Sequence, residues 1–95
     1  MRIRYDPGKN TRNIAERDLS FERATDFAWE TASIAEDHRR DYPERRFVAV
    51  GILDNRLHVL CFTPSDDGIR VISFCKANER ERKRYEEATQ ATYRR

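Results

Sequence analysis

Three closely spaced runs of β-branched and aromatic residues constrain the fold of this chain more than any other feature. They extend over Phe47 to Leu53, Leu57 to Thr63 and Ile69 to Lys76, and they are rich in valine, isoleucine and phenylalanine. The segments between them, Asp54 to Arg56 and Pro64 to Gly68, are short and contain turn-forming residues. Each run is therefore expected to return antiparallel to the one before it, which predicts a meander at the centre of the fold.

The N-terminal part of the sequence predicts a short strand and two helices. Alternation in Met1 to Tyr5 favours an edge strand. A helix is predicted from Pro7 to Arg17, because the Asp6 side chain can cap its first amides and proline is tolerated at the first helical position. Ser20 can cap a second helix, whose apolar residues recur at helical spacing: Phe21, Ala24, Phe27 and Ala28. The two helices are expected to form a hairpin.

The remaining segments complete an α+β prediction. Thr31 to Glu36 permits a short strand, whereas His38 to Arg46 reads as a polar connection because it is charge-dense and contains proline. Asn78 and Glu81 have capping-box spacing, which predicts a helix from Glu79 to Ala91 that docks by a narrow apolar edge. The sequence thus predicts one domain over 1–95, with two N-terminal helices and a C-terminal helix on an antiparallel sheet of four to five strands.

Charge and hydropathy limit the compartment and the class of partner. Hydrophobic and charged residues each make up 38% of the chain, and 19 lysines and arginines against 17 acids leave a net charge of only +2. That balance does not by itself indicate nucleic-acid binding, so the placement of the cations has to decide. Met1 to Asp6 lacks the apolar stretch of a signal peptide, and no apolar run is long enough to span a membrane. A cytoplasmic location without membrane contact is predicted, with Cys61 and Cys75 as buried free thiols.

Metal and cofactor chemistry find little support in the motifs. His38 and His58 lie far apart, and no third or fourth ligand follows at a recognisable spacing, so no metal site is predicted. The chain has no Gly-x-Ser-x-Gly nucleophile elbow. Its three glycines, Gly8, Gly51 and Gly68, do not form a phosphate-binding loop, so no cofactor is predicted.

The remaining candidates for a functional site are cations on the predicted last strand, last helix and polar connection. The alternation of the last strand places Arg70 and Lys76 on one face, and further cations occupy the last helix (Arg80, Lys83, Arg84) and the polar connection (Arg39, Arg40, Arg45, Arg46). RNA can be cut without a metal when its own 2′-hydroxyl attacks the adjacent phosphate, provided that the protein neutralises the developing charge and handles two proton transfers. The proton-transfer candidates are Glu44, Glu81, His38, His58, Tyr42 and Lys76. Surface ion pairs and a solvated helix face are the competing explanations for the same charges.

Several short segments, in order along the chain, resemble the BrnT family of toxins from toxin–antitoxin pairs. The segments that carry the resemblance are Tyr5-Asp6-Pro7-Gly8-Lys9, Leu19 to Ala24, Asp41-Tyr42-Pro43-Glu44-Arg45-Arg46, Phe62-Thr63-Pro64, Arg70 to Ser73 and Lys76 to Glu81. The resemblance implies a fold related to RelE-type ribonucleases and RNA cleavage that arrests translation. It also implies a BrnA-like antitoxin that neutralises the toxin and supplies any contact with operator DNA.

On this basis Arg70, Lys76, Arg46 and Arg80 are hypothesised to hold the scissile phosphate, with Glu44 or His38 in proton transfer. The chain departs from the family pattern at two positions. Cys75 replaces the arginine of the usual Ile-Ser-x-Arg-Lys-Ala segment, and Ser65 stands where another arginine often follows Thr-Pro. Two alternatives to an active ribonuclease toxin therefore remain open: a catalytically weakened member that acts with its antitoxin as a co-repressor, and an RNA-binding module without chemistry.

Overall fold

A five-stranded sheet forms the centre of the protein. The computed structural model describes residues 1–93, and side chains as far as residue 89. The strands follow the order β1-β5-β4-β3-β2 across the sheet: β1 (Arg2–Arg4), β2 (Ser33–Glu36), β3 (Phe47–Leu53), β4 (Arg56–Ser65) and β5 (Gly68–Lys76). Strands β3, β4 and β5 are antiparallel neighbours, which confirms the predicted meander.

The prediction of a purely antiparallel sheet is wrong, because the edge strand β1 runs parallel to β5. Arg2 lies opposite Gly68, Ile3 opposite Ile69 and Arg4 opposite Arg70. Alternation in the first residues indicates a strand but not its partner, and the pairing joins segments from the two ends of the sequence. The sheet is therefore mixed, and β1 adds the partly buried Ile3 to the core.

Gly68 allows this parallel pairing, and its replacement provides a test of it. A Cβ atom at position 68 would lie 2.1 Å from the backbone oxygen of Arg2 and 2.6 Å from its nitrogen. Because these are backbone atoms, β1 would have to shift, so we expect Gly68→Ala to lower the free energy of unfolding by about 1–3 kcal/mol in urea denaturation. Gly8→Ala is the matched control, since its Cβ would meet nothing closer than Asp6 Oδ1 at 3.4 Å. Equal unfolding midpoints for the two variants would contradict this account of the edge.

Helix α1 (Pro7–Arg17) has the predicted bounds and fixes the far end of β5. Asp6 caps it, as predicted, by accepting a hydrogen bond from the amide of Gly8 at 2.9 Å. The side-chain amide of Asn13 donates to the backbone oxygen of Phe74 at 3.0 Å. It thus satisfies a carbonyl of β5 beyond the short stretch that β1 covers.

The predicted second helix and the helical hairpin are wrong. The segment forms a 3₁₀ helix over Phe21–Asp26 and a second 3₁₀ turn over Trp29–Thr31. The buried residues Phe21, Ala24 and Phe27 recur every third residue, which matches the 3.0-residue turn of a 3₁₀ helix better than an α-helix. The amide of Ala28, which would bond to Ala24 in an α-helix, donates instead to the oxygen of Ile52 at 2.9 Å, and the oxygen of Ala24 accepts from the indole nitrogen of Trp29 at 2.9 Å.

These N-terminal elements cover one face of the sheet, and the core lies between them. Its buried side chains make edge-to-face and stacked aromatic contacts. The core members are Leu19, Phe21, Ala24, Phe27, Ala49, Leu53, Leu60, Phe62, Ile69, Val71 and Phe74. The opposite face of the sheet is left for the C-terminal helix and the loop between β2 and β3.

Helix α2 (Glu79–Tyr93) begins at the predicted capping box. The Asn78 side chain accepts from the amide of Glu81, and the Glu81 side chain accepts from the amide of Asn78, both at 2.8 Å. Only one edge of the helix is half-buried, and the Tyr85 hydroxyl donates to the backbone oxygen of Thr31 at 3.3 Å. The predicted narrow docking edge is thus confirmed. Neither described helix is both long and apolar enough to cross a membrane.

Candidate functional site

The face of the sheet opposite the core forms the floor of a groove of about 570 Å³, which we call the open groove. Its floor is largely apolar, one wall is α2, and the other is the start of the loop over residues 37–46. The lining residues are Val48, Val50, Val59, Cys61, Ile72 and Ser73 on the floor; Ser33, Ala35 and Glu36 on β2; Asp37, His38, Arg39 and Arg46 on the loop; and Glu81, Arg84, Tyr85 and Ala88 on α2.

A β-bulge decides which side chains of β5 face this groove. Cys61 pairs with Ser73, but the next residue, Phe62, pairs with Val71, so Ile72 is an extra residue in β5. The alternation reverses there. Arg70 therefore faces the groove side of the sheet, whereas Lys76, paired with the buried His58, faces the core side. The prediction that Arg70 and Lys76 share a face is wrong, because a regular alternation does not include the bulge.

A single buried carboxylate, Asp37, organises the loop wall. Its side chain is 1% exposed, yet it forms a two-pronged ion pair with Arg39, with Nε 2.9 Å from Oδ1 and Nη2 2.8 Å from Oδ2. Asp37 Oδ1 also accepts from the Arg39 amide at 3.1 Å, and Oδ2 accepts from the Tyr42 hydroxyl at 3.3 Å. The Arg39 hydrogen bonds hold the pKa of Asp37 well below its usual range. The carboxylate is therefore ionised wherever the protein is folded near neutral pH.

This lowered pKa predicts a pH-dependent contribution to stability. Because the folded pKa of Asp37 is depressed, its contribution is complete above the unfolded pKa of about 3.9 and is lost as pH falls through the lower folded value. We expect Asp37→Asn to unfold at a lower urea concentration than wild type at pH 7, with the difference shrinking below about pH 4. Asp66→Asn is the control, an exposed acid on the β4–β5 turn. A wild-type advantage over Asp37→Asn that persists unchanged into strong acid would contradict the assignment.

Two neighbouring arginines at the end of the loop point to different surroundings. The Arg46 guanidinium lies over the Tyr42 ring, 3.9 Å from its centroid, and lines the open groove. The Arg45 guanidinium instead pairs with Glu36 at 2.8 Å and lies 5.2 Å from the Phe47 ring centroid. Arg45 does not line the groove. The chain thus supplies a matched pair of arginines, one in the groove and one outside it.

The other predicted site residues differ in their position relative to the groove. His38 is exposed and lines the groove. Arg70 and Glu44 form an ion pair at 3.0 Å, with about half of each side chain exposed, and Glu44 shares a smaller depression with His38 and Arg46. Arg80 does not line the groove. Of the predicted site cations, Arg46 lines the groove, Arg70 lies on the groove side of the sheet without lining the groove, and Lys76 lies on the other face.

Sequence reasoning did not single out the groove residues Asp37 and Tyr85, and it named Arg39 and Arg84 only among the candidate cations, without assigning them to the phosphate. The Asp-x-Arg spacing of Asp37 and Arg39 was a usable signal, because a short acid and an arginine two residues apart can pair in a loop. Arg84 and Tyr85 continue from Glu81 at helical spacing along the edge by which α2 docks. The prediction of Arg80 as a site residue did not take that edge of α2 into account.

A comparison with known protein families shows which family the chain belongs to. The model of the family described as "Ribonuclease toxin, BrnT, of type II toxin-antitoxin system" matches residues 5–81. The chain belongs to the BrnT family. The matched range of this BrnT chain covers β2 to β5, the loop wall and the start of α2. Membership identifies it as a ribonuclease toxin of a type II system and implies an antitoxin partner. None of the curated proteins compared with the chain matches it.

The BrnT chain has a second depression, of about 770 Å³, which we call the far cleft. It contains Lys76 and His58 and lies between the end of α1 and the β3–β4 turn. His58 is 4% exposed, and its Nδ1 lies 2.8 Å from the backbone oxygen of Arg56. The far cleft is larger than the open groove, but its cations are interspersed with acids: Arg23, for example, pairs with Asp54 at 2.8 Å. No group of three or more potential metal ligands gathers within the described residues.

Both cysteines of the BrnT chain are free thiols on the groove face of the sheet. Cys61 is buried, as predicted, and Cys75 is half-buried. Burial raises the pKa of each thiol, so neither is an activated nucleophile. Cys75 pairs with Val59, a residue of the groove floor. The arginine that the sequence resemblance implies at position 75 would therefore extend from the groove side of the sheet.

Proposed function

We propose that this BrnT-family chain is an endoribonuclease that cuts RNA in the open groove without a metal ion and thereby arrests translation. The observation that carries the proposal is the set of guanidinium groups around the groove. Arg39 and Arg46 lie on the loop wall, and Arg84 lies on α2 opposite them. Arginine binds phosphate oxygens through paired N–H groups, so this arrangement suits a phosphodiester that crosses an apolar floor.

The proposed reaction uses the 2′-hydroxyl of the RNA as nucleophile. Its oxygen forms a bond to the adjacent phosphorus as the bond to the 5′-oxygen breaks, which leaves a 2′,3′-cyclic phosphate and a 5′-hydroxyl. The guanidinium groups of Arg39 and Arg46 stabilise the charge that builds on the non-bridging oxygens. A base removes the proton of the 2′-hydroxyl, and an acid protonates the departing 5′-oxygen.

We assign His38 to the first proton transfer. It is exposed, lines the groove and lies on the same loop as both arginines. Glu44 is the weaker candidate because its carboxylate is engaged with Arg70. Arg70 is assigned to hold the RNA strand next to the reacting phosphate. Lys76 faces the other side of the sheet, and Arg80 does not line the groove, so neither is assigned to the scissile phosphate.

The partner proposal follows from the family. We propose that a BrnA-like antitoxin neutralises this chain in the cytoplasm and provides the only contact with operator DNA. The relation of the fold to RelE-type ribonucleases is part of the same proposal. It is supported by a sheet that carries α1 and the 3₁₀ helices on one face and, on the other, a cation-lined groove with α2 as one wall.

The test is RNA cleavage by the purified protein in excess EDTA, with the ends of the products analysed. Cleavage that leaves 2′,3′-cyclic phosphates, at a rate that added Mg²⁺ does not increase, supports the proposal. RNA retention with no new ends would favour an RNA-binding module instead. An absence of both binding and cleavage would favour the co-repressor alternative, for which the replacements at Cys75 and Ser65 give a specific reason.

A further inference from the structure

We infer that Arg39 is a phosphate-binding residue of the open groove, and that Asp37 is the positioning residue that holds Arg39 and the Tyr42–Arg46 stack in place. This inference depends on the proposed function in one respect: it takes RNA as the ligand of the groove. It adds to the proposed function the positioning residue Asp37, which, like Arg39, lies outside the family segments quoted above.

The geometry of the ion pair leaves half of the Arg39 guanidinium available. Asp37 engages the edge formed by Nε and Nη2, at 2.9 and 2.8 Å. The outward edge, with the Nη1 hydrogens, makes no hydrogen bond to any described residue, and the Arg39 side chain is 76% exposed. An arginine has five N–H donors, so one edge can remain on the aspartate while the other binds a phosphate oxygen.

The same carboxylate also orders a second cation. Asp37 accepts from the Tyr42 hydroxyl at 3.3 Å, and the Tyr42 ring carries the Arg46 guanidinium at 3.9 Å. Asp37 thereby connects, directly or through one ring, to two guanidinium groups on a single wall of the groove. Ordering flexible side chains before the ligand arrives removes part of the entropic cost of binding.

A second ion pair, outside the open groove, provides an internal comparison. Asp26 pairs with Arg23, with Oδ2 3.0 Å from Nε, and neither residue lines the groove. If Asp37 affects RNA only through the net charge of the protein, removing either carboxylate should have similar consequences. If Asp37 positions a phosphate ligand, only its removal should weaken RNA binding.

The experiment measures the binding of an RNA whose 2′-hydroxyls are methylated, so that it cannot be cut. The variants are Asp37→Asn, Arg39→Ala, the double variant Asp37→Asn/Arg39→Ala, Arg39→Lys and the control Asp26→Asn. We expect Arg39→Ala to raise the Kd roughly tenfold and Asp37→Asn about three- to tenfold. The double variant should bind little more weakly than Arg39→Ala, because Asp37 acts mainly through that guanidinium. Asp26→Asn should stay within about twofold of wild type.

Arg39→Lys provides a second test of the inference, and this test remains valid even if Asp37→Asn does not fold. It keeps the positive charge but loses the planar fork, so we expect it to bind almost as weakly as Arg39→Ala. Wild-type affinity in Arg39→Lys, fully additive losses in the double variant, or an equal loss in Asp26→Asn would each overturn the inference. Cleavage is assayed separately: a protein that binds RNA without cutting it would end the nuclease proposal, while this binding series would still decide the role of Asp37.

Discussion

Replacing Cys75 with arginine is expected to raise kcat/KM for RNA cleavage by about 10²-fold. A single well-placed donor to the charge of a transition state contributes about 10²- to 10³-fold in rate, and the family pattern has arginine at this position. Cys75 lies on the groove face beside the floor residue Val59, and it is only half-buried, so a longer side chain can extend into the groove.

The control for this gain is an arginine added elsewhere. Thr25 is exposed on the 3₁₀ helix, on the side of the sheet that carries the core, so Thr25→Arg adds the same charge away from the groove. We expect Thr25→Arg to change kcat/KM by less than about threefold, since added net charge alone affects mainly encounter. Equal gains from both variants, or no gain from Cys75→Arg, would show that position 75 marks no missing contact with the phosphate.

Removing Arg46 is expected to lower kcat/KM by about 10²-fold or more, whereas removing Arg45 should change it less than about threefold. The two side chains are adjacent in sequence and have the same chemistry, but only Arg46 lines the groove. Arg46 is held over the Tyr42 ring, so its loss removes an ordered cation rather than a mobile one. The comparison therefore separates the effect of position from the effect of charge.

A conservative variant and the unfolding midpoints provide the controls for this comparison. Arg46→Lys keeps the charge, and we expect it to recover only part of the lost rate because an ammonium group cannot reproduce the paired N–H donors. Arg45→Ala, Arg46→Ala and Arg46→Lys should each keep an unfolding midpoint close to that of wild type, because surface substitutions change stability little. Similar losses in Arg45→Ala and Arg46→Ala would mean that the loop contributes through its overall charge and that the groove is not the reacting site.

Much of the fold could be predicted because local signals were sufficient. The β-rich runs predicted β3 to β5, since hydrophobic strands separated by short turns have few other arrangements. Asp6-Pro7 and Asn78-Glu81 predicted the starts of both helices, because a capping side chain bonds amides within three residues of itself. These features need no knowledge of distant parts of the chain.

The errors arose where distant parts of the chain decide the structure. The parallel partner of β1 lies at the other end of the sequence. The 3₁₀ helix at Phe21 is stabilised by bonds such as the one from its amide to the Asn10 side chain at 2.7 Å. The bulge at Ile72 then moved Lys76 to the opposite face, which removed one member of the predicted site. A one-residue irregularity in a strand changes the face of every following side chain, and alternation alone does not reveal it.

For the candidate site, the sequence indicated the kind of side chain more readily than the individual residues. Clustered arginines drew attention to the polar connection, whose residues Arg46 and His38 line the groove. The role of Asp37 was not apparent, because its importance comes from burial and from contacts with Arg39 and Tyr42 that appear only in the folded loop.

The most direct test of the central claim, that RNA is held in the open groove, is a map of amide chemical-shift changes on titration with a methylated, uncleavable RNA. The account predicts that the largest changes occur on the groove floor and the loop wall, including Val48, Val59 and Arg39. Changes concentrated instead at His58 and Lys76 would place the RNA in the far cleft and contradict the account.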